Sequence, residues 1–305
     1  MDPSCSGLVL IDKPAGPTSH DIVAQVRRAL LRIRVGHTGT LDPPATGLLV
    51  VLLGRATRLA RYLPHEPKTY QGQMALGVTT ATDDLAGSVQ ARHAGALPSP
   101  GDVAAAAASL TGRRLQTPPV VSAKHVDGKR LYRLARQGRP TEAPAVLVTV
   151  DRFTVAPTAE PHLWDYELVV SSGTYVRACV RDLGALLGCG ASVASLRRLA
   201  IGPWHVDQAL PWPDTTATLA ASIERHVIGL AEMPLALQSL ELLDARAGRT
   251  FASGGAVPSP GTGLPDGTSV AVRAAQGELI GIGELAEGSI RPRVVLGDVA
   301  HEPPL

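Results

Sequence analysis

The stretch from Gly36 to Leu49, G-H-T-G-T-L-D-P-P-A-T-G-L-L, places one carboxylate, Asp42, in a loop of Gly, Thr and Pro. There the backbone turns sharply and the side chain is not committed to a helix face. A carboxylate so placed can serve as nucleophile or base, and Asp42-Pro43 can equally be a plain turn, since both residue types favour turns. Farther along, Ser171-Ser172-Gly173-Thr174 reads as a turn and cap before a helix from about Tyr175 to Leu187, stopped by Gly188. Tyr175 and Arg177 then lie in its first turn. A cation there opposes the helix dipole, so Arg177 invites a partner carboxylate. A third feature is basic: Arg113, Arg114, Lys124, Lys129, Arg130, Arg133, Arg136 and Arg139 face a single acid, Asp127, in a segment broken by Pro118-Pro119 and Gly128. A solvated face would intersperse acids, whereas one-sign charge on a Pro/Gly-punctuated insertion suits a phosphate-binding arm.

Other chemistries find no pattern. The nine histidines form no H-E-x-x-H or clustered Cys/His spacing, so no metal site is expected. Neither G-x-x-x-x-G-K-[ST] nor G-x-G-x-x-G joins a strand to a helix, and G-x-S-x-G is absent, which argues against nucleotide cofactors and serine hydrolysis. Cys5, Cys179 and Cys189 are an odd number without a C-x-x-C pair, as reduced thiols would be.

The elements that must position these groups are legible in outline. Leu8–Ile11 is a short strand, and Thr18 with Asp21 forms a capping box for a helix whose Ile22, Val26 and Leu30 face the core. Leu48–Leu53 should anchor the Asp42 loop to a sheet. Arg55, Arg58 and Arg61 share one face of a following helix, which on its own reads as solvated. A half-buried strand starts at Tyr70, and a polar turn spans Thr79–Gly87. Ser99, Pro100 and Asp102 start an alanine-rich scaffold helix. Strands follow at Val146–Val150 and Leu163–Ser171; Pro203–Pro213 reads as loop and Thr218–Val227 as helix. Beyond about Leu235, Gly and Pro rise, and strands at Val270–Val272, Leu279–Ile282 and Val294–Leu296 suggest a small β-rich domain.

The 305 residues suffice for one large domain and one small one, with 45% hydrophobic residues. A net charge of only +2 defeats any bulk electrostatic argument for nucleic acid, so that argument rests on the basic segment alone. The N-terminus lacks a signal-peptide pattern and no apolar run reaches membrane-spanning length, so the expectation is a cytoplasmic protein with no membrane partner.

Several separated segments together resemble the TruB family of tRNA pseudouridine synthases. Gly36–Leu49 looks like its catalytic loop, Leu10-Ile11-Asp12-Lys13-Pro14 its opening strand, Lys68-Thr69-Tyr70 its base-stacking strand and Ser172–Arg177 its second signature. Asp182-Leu183-Gly184 and Leu196-Arg197-Arg198-Leu199 continue the match in order, so that it covers roughly residues 8 to 202. The resemblance implies an α+β fold with a mixed, largely antiparallel sheet. It implies a catalytic domain over 1–234 with a thumb-like insertion at about 113–142, and a PUA-like RNA-binding domain over 235–305.

It also implies an isomerase that needs no cofactor. Such an enzyme cleaves the N-glycosidic bond of a uridine in the tRNA T loop, position 55, and rejoins the base through carbon. Asp42 would be the reacting carboxylate, Arg177 its partner and Tyr70 the ring stacked on the base. Tyr175 and Leu196 would line the pocket, Lys13 would join the substrate-binding residues, and His37 would fill the gap left by the flipped base. Lys129 and Arg130, in Gly128-Lys129-Arg130-Leu131-Tyr132, would grip RNA. Val121 and His125 depart from the family's usual Tyr and Lys at those places. The implied partner is tRNA, held at the T arm and, through the C-terminal domain, at the acceptor end, by a monomer. On their residues alone, Tyr70 is also an ordinary strand aromatic, Tyr175 a helix-start tyrosine, Leu196 a core leucine and His37 a backbone-bonded loop histidine. Two other functions fit parts of the pattern. An RNA-binding protein without turnover would need only the basic arm, and a carboxylate glycosidase would need a second acid, for which Asp12 is the nearby candidate.

Overall fold

The unbroken apolar run of residues 48–53 lies at the centre of the molecule, because the strand carrying it is covered on both faces. The computed structural model describes residues 6–31, 33–121, 125–126, 129–130, 143–213, 215–242 and 244–297. In chain order it begins with β1 (Gly7–Lys13), α1 (Ser19–Ala29), β2 (Val35–Thr38), β3 (Thr46–Leu53) and a 3-10 helix (Gly54–Tyr62). Then come β4 (Lys68–Leu76), β5 (Val78–Thr80), β6 (Val89–Arg92), α2 (Pro100–Ser109) and β7 (Gly112–Gln116). A small hairpin, β8 (His125–Val126) with β9 (Lys129–Arg130), belongs to the basic insertion. Next are β10 (Val146–Pro157), β11 (Leu163–Val170), α3 (Val176–Leu186), β12 (Ala191–Ile201), β13 (Trp204–His205), β14 (Leu210–Pro211), α4 (Thr216–His226) and β15 (Ile228–Gly229). The C-terminal part holds β16 (Ser239–Leu242), α5 (Ala245–Ala252), β17 (Val257–Pro258), β18 (Ser269–Ala274), β19 (Leu279–Ala286) and β20 (Ser289–Val295).

One large sheet follows the path β14-β1-β3-β12-β4-β11-β10-β7, with β2, β13 and β15 attached beside it. Along that path β1–β14 and β3–β12 are parallel and the other pairs antiparallel, which is the expected mixed, largely antiparallel α+β architecture. A second sheet, β16-β18-β19-β20-β17, forms the β-rich C-terminal part. Alternation along β3 divides the apolar run between two cores. Leu49, Val51 and Leu53 meet Ile22, Val26 and Ile223, from α1 and α4. Leu48, Val50 and Leu52 join a cluster with Leu59, Trp204, Leu279 and Ile282, so the C-terminal sheet shares a core with the large sheet. Each such buried side chain contributes roughly 1.5–3 kcal/mol relative to exposure. A third core packs Tyr70, Trp164, Tyr166 and Leu168 of β4 and β11 against Val180 and Leu183 of α3.

Both anticipated capping boxes form, Thr18 with Asp21 and Ser99 with Asp102. Three features differ from expectation. Arg55, Arg58 and Arg61 do share a face, because the three-residue repeat of a 3-10 helix brings every third side chain into line. The face is not merely solvated, however. Arg55 Nη1 donates to the carbonyls of Leu296 (2.5 Å) and Gly297 (3.1 Å), and Arg58 donates to the Val295 carbonyl, so two of the cations tie down the end of the last strand. Residues 203–213 are not all loop: β13 pairs with β12 and β14 runs parallel to β1, burying Trp204 and Leu210. The basic segment also begins inside the large sheet, since Arg113 and Arg114 lie on β7 and Arg114 pairs with Asp182 at 3.0 Å. No helix among the described residues is long and apolar enough to cross a membrane.

Candidate active site

The Asp42 loop connects β2 to β3 and is held at almost every residue. The Ser19 hydroxyl accepts from the Leu41 N–H at 2.9 Å and donates to the Leu41 carbonyl at 3.2 Å. Gly16 N–H and Lys13 Nζ both donate to the Pro43 carbonyl, at 2.9 and 3.2 Å. From the other side Arg198, 1% exposed, donates through Nη2 to the Gly39 carbonyl and through Nε to the Leu48 carbonyl, each at 2.8 Å. Such contact between β12 and β3 needs Gly47, whose φ is +100° and whose added Cβ would lie 2.2 Å from the Arg198 carbonyl oxygen. The Ala45 N–H does close a turn on the Asp42 carbonyl at 3.1 Å, so the turn reading holds for the backbone, which leaves the side chain for a partner outside the loop.

Arg177 lies in the first turn of α3, 5% exposed, with each guanidinium nitrogen engaged. Its Nε is 2.9 Å from Asp42 Oδ2, Nη1 donates to the Thr82 carbonyl at 2.7 Å, and Nη2 donates to the Val121 carbonyl at 3.1 Å. A second carboxylate, Asp84 Oδ2, lies 3.8 Å from Nη1. The cation that opposes its own helix dipole is thus balanced by two acids from other elements. One turn on, Arg181 reaches Asp83 at 3.2 Å and Asp182 at 2.9 Å; burial pushes the Asp83 carboxyl up, and the two arginines oppose that. The polar turn carrying these acids is itself fixed to β12, with Val193 N–H donating to Asp83 O and Leu85 N–H to Val193 O.

The Asp42–Arg177 pair opens onto a cleft lined by residues 39–42, Lys68, Tyr70, residues 173–177, Leu196 and Arg198. Of the residues singled out in the sequence, Asp42, Tyr70, Arg177, Tyr175 and Leu196 therefore meet in one place. Tyr70 is 7% exposed and is held on β4 between β12 and β11, opposite Arg198 and Leu168. His37 is on β2, outside the residues lining the cleft. Burial first, then the neighbouring His20 and Arg198, push its imidazole down to about 4, so the ring is neutral near pH 7. Its ring stands edge-on to His20, with centroids 5.4 Å apart, and among the described residues its buried Nδ1 has no hydrogen-bond partner. Lys13 does not line the cleft either. It is fully buried behind the loop, with Nζ donating to the Pro14 carbonyl (2.8 Å) as well as to Pro43, and burial lowers it to about 8. Lys129 and Arg130 form one strand of the small insertion hairpin, and their side chains lie outside the described part.

Sequence reasoning missed Asp83 and Asp84, Arg181, Lys68 and Arg198. Two adjacent acids in a polar turn, and an arginine four residues after Arg177 on the same helix face, were the available signals. Lys68 stands in the cleft with Nζ donating to Ser172 Oγ at 3.2 Å, and burial together with Arg198 lowers it to about 8. Among the described residues no group of three His, Cys, Asp or Glu side chains could hold a metal ion.

Similarity to known proteins extends over nearly the whole chain. Residues 27–176 match the TruB family pseudouridylate synthase N-terminal domain, and residues 177–226 match the tRNA pseudouridylate synthase B C-terminal domain. A tRNA pseudouridine synthase B of a Synechococcus strain is 40% identical over 298 residues, covering 96% of this chain and 99% of that protein. The protein of that name from Thermobifida fusca is 42% identical over 296 residues, covering 95% and 98%. Among solved structures, one of a Cbf5-Nop10-Gar1 complex superimposes with a TM-score of 0.72 at 23% identity, covering 95% of this chain and 84% of the other. At that identity the likeness is one of fold.

Proposed function

Because the chain belongs to the TruB family and is a tRNA pseudouridine synthase, we propose that it acts on the T-loop uridine at position 55 and that Asp42 is its reacting carboxylate. The observation carrying this reading is the 2.9 Å pair between Arg177 Nε and Asp42 Oδ2 at a cleft floored by Tyr70 and Leu196. The reaction breaks the N1–C1′ bond, forms a C5–C1′ bond, releases the C5 proton and returns a proton to N1. It consumes no reductant, oxidant or nucleotide. Asp42 supplies the charge that meets the developing electron deficiency, and Arg177 fixes its direction. Tyr70 stacks on the base, while Tyr175 and Leu196 close the pocket around it.

A stacked T-loop base must be flipped out to reach this cleft, which leaves a hole in the stack. On this reading His37 fills that hole with a flat, neutral ring. The basic insertion grips the phosphates through Lys129 and Arg130. In this reading residues 235–305 are a PUA-like domain that holds the acceptor end of the tRNA, and residues 1–234 are the catalytic domain. The protein so read acts as a monomer, and a tRNA substrate supports a cytoplasmic place of work.

Tritium release from T-arm RNA labelled at uridine C5 tests the assignment of Asp42. Asp42→Asn should abolish release, and release at the wild-type rate would refute the assignment. For the arm, replacing Lys129 and Arg130 by alanine should weaken tRNA binding and flatten its salt dependence by a slope of roughly 1–2, as loss of about two phosphate contacts requires. An unchanged slope would remove the arm from the reading.

A further inference from the structure

Gln116 is the last residue of β7, at the root of the basic insertion, and is 1% exposed. Its amide clamps the backbone of one residue. Oε1 accepts from the Tyr175 N–H at 2.8 Å, Nε2 donates to the Tyr175 carbonyl at 3.2 Å, and Cys179 Sγ lies 3.3 Å from the same nitrogen. Tyr175 begins α3 without a side-chain cap of its own, and Gln116 satisfies its N–H across space, as the third-position Glu or Gln of a capping box would do locally. Two more bonds join the root of the insertion to the same helix. Arg181 Nη2 donates to the Thr117 carbonyl at 2.9 Å, and Arg177 Nη2 donates to the Val121 carbonyl at 3.1 Å. A methionine would fill the same volume without burying an amide, so the polar group is there for its bonding directions, which specify one register of β7 against α3.

We propose that Gln116 is a positioning residue for the isomerisation: it fixes the start of α3, and with it Tyr175 and Arg177, in register with Asp42, and couples the root of the RNA-gripping insertion to that helix. The inference rests on the reading of Asp42 and Arg177 as the reacting pair. RNA contact made by the insertion is then transmitted to the guanidinium through these four bonds, and a helix start shifted by a fraction of an ångström misdirects the carboxylate.

The test uses full-length protein and unmodified tRNA under single-turnover conditions, with enzyme saturating and in excess, so that an inactive fraction does not enter the rate. Gln116→Met should slow the step at least about 10-fold, by misplacement of the reacting groups, while the tRNA Kd from filter binding changes less than about twofold. Gln116→Glu gives a signature that mere packing would not. As a carboxylate it still accepts from the Tyr175 N–H but repels the Tyr175 carbonyl, and once protonated it regains the donor. Arg114 and Arg181, the cations nearest that carboxylate, are both paired with Asp182, so burial sets the direction and pushes the new carboxyl up, as it pushes the neighbouring Cys179 thiol up to about 12. The rate of Gln116→Glu relative to wild type should therefore rise about 10-fold between pH 8.5 and pH 6.

A wild-type single-turnover rate for Gln116→Met, a flat Gln116→Glu ratio, or a weakened Kd at an unchanged rate would each overturn the proposal. If Gln116→Met fails to fold, the Gln116→Glu profile decides alone. Wild-type activity in Asp42→Asn would instead overturn the reading of the reacting pair, whatever the Gln116 variants do.

Discussion

Arg177→Lys keeps the positive charge and removes the fork, and so separates electrostatics from geometry at the site. The guanidinium makes three contacts in divergent directions, to Asp42 at 2.9 Å, the Thr82 carbonyl at 2.7 Å and the Val121 carbonyl at 3.1 Å, from a position 5% exposed. A single ammonium cannot reach all three. If it follows the strongest attraction and stays on Asp42, two part-buried carbonyls lose charged donors. At roughly 1.5–3 kcal/mol per hydrogen bond from a charged group, the loss is about 3–5 kcal/mol. For a chain of this size that is a fall in Tm of about 10 °C. The carboxylate, freed from a planar partner, samples other directions, and misplacement on the order of 1 Å costs ~10²-fold in rate. Differential scanning fluorimetry and single-turnover pseudouridine formation read the two quantities separately. A Tm within about 2 °C of wild type together with a rate within about twofold would refute the claim that the fork of Arg177, rather than its charge, organises the site.

Two further outcomes follow from other contacts. Lys68 has a folded pKa of about 8 against 10.5 for the free side chain, so the folded protein holds its charged form at a cost below about pH 8. Between about 8 and 10.5 the unfolded state binds the extra proton, and the contribution of Lys68 to stability rises with pH. Lys68→Met should therefore raise the unfolding free energy near pH 7 by on the order of 3 kcal/mol, read as a higher Tm, and the gain should vanish near pH 10.5; a gain that persists there would be a packing effect. Arg55→Met removes the donor to the Leu296 and Gly297 carbonyls, worth about 1–2 kcal/mol, and should speed hydrogen exchange in β20 without affecting α3. Equal acceleration in both would show that the contact stabilises the whole chain rather than the docking of its last strand.

How much of the molecule was legible beforehand depended on how far apart the interacting groups lie in the chain. The capping boxes at Thr18 and Ser99 and the apolar run of β3 were visible because each is written within a few residues. The same holds for the need of Arg177 for a counter-charge, since a helix start imposes it wherever the helix goes. Resemblance to a family supplied Asp42 as the partner.

The identity of the second acid was not legible. Asp84 meets Arg177 only because the turn after β5 is hydrogen-bonded to β12, and periodicity does not encode that pairing. The resemblance placed Lys13 among the substrate-binding residues; that the parallel contact of β12 with β3 and the fold-back of residues 14–16 bury it beneath Pro43 was not legible. Arg55 and Arg58 looked solvated until the last strand ended against them.

Sequence alone determined which residue types could carry the chemistry and which local elements hold them, because short-range sterics, capping and apolar periodicity act within a few residues. The tertiary structure alone decided how those groups face one another: the order of strands β3, β12 and β4 sets Asp42, Arg198 and Tyr70 around one cleft. Gln116 and Asp84 of the polar turn then fix the angle at which Arg177 enters it. Those contacts are directional hydrogen bonds between elements distant in sequence, and only the folded register brings their partners within reach.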